Sequence, residues 1–172
     1  MADSVEAPPP SVADGELHAL DPQYVVVQRL AAAIASTVVM TIATLGMLIT
    51  AFGAPGALWW QLPAWVAGAV FFVWWTIRWP PLDYAHARYR VDAVGLEIRR
   101  GVWWREVTSV PKSRVQHTDV SQGPIERRFG IGTLVIYTAG TDHARVELPG
   151  LPYARALAIR DHLLPAGGDD AV

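Results

Sequence analysis

Between residues 30 and 77 the chain runs for 48 residues without one Asp, Glu, Lys or Arg. A water-soluble domain presents charge to solvent far more often than that, so the stretch points to lipid as its surroundings. It divides into two. Residues 30–52 (LAAAIASTVVMTIATLGMLITAF) form a run of 23 positions, roughly 34 Å as an α-helix and long enough to cross a ~30 Å hydrocarbon core with some tilt. Gly53-Ala54-Pro55-Gly56 breaks the run. Residues 57–77 supply a second span, closed by Arg78-Trp79-Pro80-Pro81, with Pro63 as a first-turn residue or a kink. So short a connection makes the spans antiparallel neighbours, and the whole hairpin is expected over residues 21–79. A signal peptide does not fit, because the run is too long, begins late and follows an acidic stretch with no basic region.

The flanks support this reading. Asp21-Pro22 is a helix start, a capping carboxylate followed by proline at the first helical position. Trp59 and Trp60 mark one end of the second span, and Trp74, Trp75 and Trp79 the other, as indoles do at headgroup level. Arg29 precedes the first span, the connection has no basic residue, and the other thirteen Lys and Arg residues follow the second span. That distribution predicts a multi-pass protein of the cytoplasmic (inner) membrane with both termini in the cytoplasm. No ionisable side chain lies within either span, which argues for an anchor rather than a proton or ion path.

Outside the hairpin the composition closes off several functions. The chain has no cysteine, which removes disulfides, thiolate zinc sites and cysteine nucleophiles. The five histidines are scattered, and a formal net charge of −2 gives no electrostatic case for nucleic acid. Neither a metal nor a cofactor is expected. Residues 1–20, rich in Pro, Ala and acid, are expected to be a flexible tail, as is the Gly/Asp stretch 165–172.

Residues 83–164 form a small α+β domain. Residues 84–91, 95–100, 103–110, 113–120, 132–138 and 144–148 are strand-like, and Leu96 and Ile98 alternate with Glu97 and Arg99. Ile125 to Phe129 fit one helical turn before Gly130, and Ala139-Gly140-Thr141-Asp142 joins the last two strands. Residues 152–164 form a helix stopped by Pro165, with Tyr153, Ala156, Ile159 and Leu163 on one apolar face.

The run Val110-Pro111-Lys112-Ser113-Arg114-Val115-Gln116, followed by Gln122-Gly123-Pro124-Ile125-Glu126-Arg127-Arg128-Phe129-Gly130-Ile131-Gly132-Thr133, resembles the bacterial pleckstrin-homology-like family of YdbS type. Leu134 to Thr138 with Ala139-Gly140, the upstream Tyr89-Arg90-Val91, Gly95 to Arg99, and Leu20-Asp21-Pro22 with Tyr24 fit the same pattern. The resemblance spans residues 20–164. It implies two membrane spans ahead of a pleckstrin-homology-like domain, a strongly bent antiparallel sheet capped by a C-terminal helix. It also implies a membrane protein often encoded beside a paralogue, without naming a ligand.

Two basic sets are candidate lipid or partner surfaces: Arg99, Arg100, Trp103, Trp104 and Arg105 around one turn, and Lys112, Arg114, Arg127 and Arg128 around the family motif. Strand alternation places one of Trp103 and Trp104 in the core. Residues 78–128 carry ten basic and six acidic side chains, an excess of four that favours an anionic leaflet. No catalytic residues are assigned. His117, Asp119 and Ser121 share a strand face, but a hydrogen-bonded surface explains them better than a triad without a nucleophile elbow. The sequence therefore predicts a non-enzymatic, membrane-anchored interaction module that binds a protein partner or sister subunit, with homo-oligomerisation open. The alternative is a component that recognises or handles lipid headgroups.

Overall fold

The computed structural model describes residues 12–139 and 145–164. The chain forms two compact units, residues 25–85 and the remainder, so the second unit is interrupted in sequence by the first.

The first unit is the hairpin. Helix α1 (Gln23–Gly53) and helix α2 (Leu58–His86) are 31 and 29 residues long, joined through a single 3₁₀ turn, Pro55–Ala57. Both are long and apolar enough to cross a membrane, and the most apolar window of each is unburied. Their facing sides are tied by hydroxyls and amides. Trp65 Nε1 donates to Thr44 Oγ1 at 3.0 Å and Thr50 Oγ1 to Gln61 Oε1 at 3.0 Å, while Ser36 and Thr76 hydroxyls meet at 3.4 Å. Nearer the other end of the pair Gln28 Nε2 donates to Asp83 Oδ2 at 3.3 Å. The steady fall in sequence separation along these rungs is that of an antiparallel pair. Pro80 and Pro81, expected to end the second helix, lie inside it. Residues 84–86, read as strand, are its last turn.

Among its described residues the second unit holds seven strands. Strands β1 (Leu17–Ala19), β2 (Arg88–Val91), β3 (Gly95–Arg100) and β4 (Glu106–Pro111) form one antiparallel sheet in that order. A 3₁₀ turn, Lys112–Arg114, leads to β5 (Val115–Ser121), then helix α3 (Pro124–Arg128), β6 (Ile131–Thr138) and β7 (Arg145–Pro152), which make a three-stranded antiparallel sheet. Helix α4 (Tyr153–Leu163) packs over β5, β6 and β7. The bent antiparallel architecture with a C-terminal capping helix is the one the resemblance implies. Its core is built from the inward side of the alternation. Tyr89, Val91, Leu96 and Ile98 come from one sheet, Leu134, Ile136, Leu148 and Leu151 from the other, and Ala156, Ile159 and Leu163 from the helix. Tyr153, assigned to that helix face, is 40% exposed.

The largest departure from the sequence reading is at the N-terminus. Residues 17–19, placed in a flexible tail, are strand β1, with Leu17 opposite Arg90 and Ala19 opposite Arg88. Leu20 is buried, Asp21 N–H donates to the Gly150 carbonyl at 2.8 Å, and the Tyr24 ring lies against Gly150. The domain's first strand is thus spelled before the hairpin and its second after it. Of the remaining predicted tails and turns, residues 1–11, 140–144 (with His143) and 165–172 lie outside the described residues.

Candidate functional site

The turn between β3 and β4 is the most distinctive surface of the domain. Arg100 opposes Glu106, so strand pairing stops before the turn and resumes after it. Residues 101–105 are therefore not strand, and the alternation that would have buried one tryptophan does not apply to them. Trp103 is 82% exposed and Trp104 88%. The expectation that one of them sits in the core is corrected accordingly.

The turn closes on a glycine. Gly101 has φ +118°, and a Cβ there would lie 1.5 Å from the Trp104 carbonyl oxygen. Any L side chain at this position forces the backbone apart. The arginines around it are held differently. Arg99 Nε reaches Glu97 at 2.5 Å, and Arg90 holds the other oxygen of the same carboxylate at 2.8 Å, fixing Arg99 along the sheet face. Arg100 Nη2 donates to the Glu147 carbonyl on β7 at 3.0 Å. Arg105 is exposed beside the tryptophans.

Register fixes where this tip stands within the domain. Ala19 pairs with Arg88, and Arg88 with Arg99. The end of β1, the start of β2 and the end of β3 therefore line one end of the four-stranded sheet. The tip projects from the end at which the chain departs for α1 and returns from α2.

The other predicted basic residues are not part of this surface. Lys112 and Arg114 follow the far end of β4, where the Lys112 N–H donates to the Val94 carbonyl and Gly95 faces Pro111. Arg127 and Arg128 sit on α3, between β5 and β6. There Glu126 accepts from the Gly123 N–H at 2.7 Å and from the Thr133 hydroxyl at 3.0 Å, so this carboxylate fastens a short helix between the strands. The nine candidates form three separate clusters, and only Arg99, Arg100, Trp103, Trp104 and Arg105 come together.

Beside the base of the tip, a cleft of about 170 Å³ opens toward β7, lined by Arg100, Glu106, Thr108, Arg145 and Glu147 among others. Arg145 pairs with Glu147 at 2.6 Å, and Arg100 is bound to backbone. With two arginines against two glutamates, the cleft has no surplus positive charge for an anion. His117 Nε2 meets Asp119 Oδ1 at 3.0 Å on an exposed strand surface. No cluster of metal-ligating side chains occurs among the described residues.

Among the described residues, three ionisable groups of the domain are shifted by their surroundings. Backbone N–H groups of Gly95 and Val94 hold the Asp92 carboxyl below its ordinary value, and His18 does the same for Asp14. Burial raises the Tyr89 phenol.

Two helices long and apolar enough to cross a membrane, followed by antiparallel sheets under a C-terminal helix, define a membrane protein carrying a pleckstrin-homology-like domain. The family model described as "Bacterial PH domain" matches residues 25–166, and the chain belongs to that family. It is also similar to the "UPF0699 transmembrane protein YdbS" of Bacillus subtilis (strain 168), with 31% identity over 107 residues. That alignment covers 59% of this chain and 65% of the relative, so the chain spans just under two thirds of the relative's length. No solved structure matches.

Proposed function

We propose that this protein is a non-enzymatic, membrane-anchored docking module. The hairpin holds it in the cytoplasmic membrane with both termini on the cytoplasmic side, and the β3–β4 tip is the surface that docks. One observation carries the reading: Trp103 and Trp104 both stand in solvent on a glycine-locked turn, with Arg105 exposed beside them. Exposing two indoles is unfavourable in water; tryptophan and arginine are both enriched at binding hot spots, and tryptophan at membrane interfaces.

Pairing of β1 with β2 supports the two-span topology. Residues 17–19 and 88–91 share one sheet, so the segments before and after the hairpin belong on the same side of the bilayer. An even number of crossings satisfies this, and the arginine-rich flank favours the cytoplasm.

A protein partner, including a paralogous subunit, is the second reading. The outer edge of β4 favours it, because among the described residues β4 pairs with β3 alone and Val107 on it is 58% exposed.

The chain has no native cysteine, which makes single-cysteine labelling clean. Trp103→Cys, Trp104→Cys and, as a reference at the opposite sheet end, Val94→Cys are each reacted with a charged maleimide. A docked tip is protected relative to position 94 in native membranes and loses that protection in detergent. Equal relative reactivity in both would remove the tip as a docking surface.

A further inference from the structure

The docking target of the tip is the bilayer surface itself. We infer that Trp103 and Trp104 enter the headgroup layer of the leaflet at which the hairpin emerges, while the exposed Arg105 beside them meets anionic lipid phosphate. This rests on the tip being a docking surface, as proposed above, and adds what it docks to.

Three features select lipid over protein. The first is position: the tip rises from the sheet end at which β1 leads to the hairpin and β2 returns from it. The tether therefore keeps the tip's target at high effective concentration whenever that target is the membrane surface. The second is composition. In the turn itself, residues 101–105 (GVWWR), Arg105 is exposed and no carboxylate is present, while Arg99 and Arg100 at its base are already held by Glu97 and by the Glu147 carbonyl. A surface of indole and guanidinium suits the interfacial zone, where a ring is partly wetted and a phosphate lies beside it. The third is shape. The tip is an exposed turn, and the adjoining cleft at Arg100, Glu106, Arg145 and Glu147 is charge-balanced. The chemistry is therefore that of a wedge entering a surface, with phosphate contacted beside it, and not of a pocket closing round one headgroup.

Gly101 positions the wedge without touching lipid. At its φ of +118° an added Cβ would overlap the Trp104 carbonyl oxygen, so any other residue there shifts the backbone that carries both indoles.

The test uses the full chain, reconstituted alone into vesicles of phosphatidylcholine and of phosphatidylcholine mixed with phosphatidylglycerol. The cysteine at position 103 or 104 is compared with that at position 94 in the same preparation, which cancels unequal insertion. Protection of the tip is expected in phosphatidylglycerol vesicles, weaker in phosphatidylcholine and weakened by salt. Arg105→Gln should lower the docking constant by about fivefold in anionic vesicles only. If the tip is protected in native membranes yet reacts freely in phosphatidylglycerol vesicles, the target is another protein and the lipid inference fails. If it reacts freely in both, the docking surface fails as well. Equal protection in both vesicle types with no salt effect would overturn the role of Arg105 while leaving the tryptophan wedge.

Discussion

Arg29 Nη2 donates to the carbonyl oxygen of Ile77 at 3.4 Å. That carbonyl lies four residues before Pro81, whose nitrogen has no hydrogen to return to it. A side chain from α1 thus serves a backbone acceptor that α2 cannot serve itself, and α2 continues through two prolines to His86.

The coupling is measurable. Arg29→Ala should destabilise the hairpin by about 1 kcal/mol, the net value of one such hydrogen bond. In a Pro81→Ala background the missing N–H is restored, so the same substitution should cost close to nothing. Reversible unfolding of the four variants in mixed micelles gives the cycle, and additive effects would show that Arg29 and Ile77 are not coupled.

Strand β1 makes the domain discontinuous, and a domain excised as residues 86–164 should be poorly folded. Joining residues 12–24 to it by a short linker should restore cooperative unfolding. Within that joined form, Leu20→Ala should cost about 2–4 kcal/mol, because Leu20 is buried. For a domain of this size that lowers Tm by about 10 °C or more. Identical thermal scans with and without residues 12–24 would show that β1 is dispensable.

Gly150 is a point of close approach. A Cβ added there would lie 2.7 Å from Tyr24 Cγ, and its φ of +75° disfavours any other residue. Gly150→Ala should therefore destabilise the joined domain by about 2–3 kcal/mol, combining overpacking with backbone strain. Shrinking the ring in a Tyr24→Ala, Gly150→Ala double variant should recover part of that loss beyond additivity, as read from denaturant midpoints.

The Asp92 carboxylate accepts the N–H groups of Val94 and Gly95, each at 2.9 Å, and these lower its pKa. A carboxyl whose folded pKa is depressed contributes stability that is fully present above its unfolded value near 3.8 and disappears as pH falls through the folded value. The stability difference between the parent and Asp92→Ala should be constant near neutrality and shrink as pH drops below 3.8. Chemical denaturation across that range provides the comparison. A difference that grew on acidification would contradict the assignment.

Much of this was legible in the sequence, for identifiable reasons. The hairpin follows from the absence of charge and from Gly53-Ala54-Pro55-Gly56, while β3 follows from the alternation of Leu96 and Ile98 with Glu97 and Arg99. Helix α4 follows from the spacing of Ala156, Ile159 and Leu163. Strand β1 was not legible, because three residues carry no usable periodicity and their partner lies beyond the hairpin. Prolines 80 and 81 read as a stop because sequence rules cannot see Arg29 arriving from another helix. Trp103 and Trp104 were placed on a strand by alternation, whereas pairing across Arg100 and Glu106 puts them in the turn. The candidate residues were named as types, but register and Gly101 decide which of them share a surface.

Immersion of the tip is tested most directly by a nitroxide spin label on Trp104→Cys in nanodiscs containing phosphatidylglycerol. Its collision rates with oxygen and with a water-soluble nickel chelate report depth. Insertion predicts a high oxygen rate and a low nickel rate at position 104, with the reverse at Val94→Cys. Equal, water-like nickel rates at both positions would contradict membrane docking by the tip.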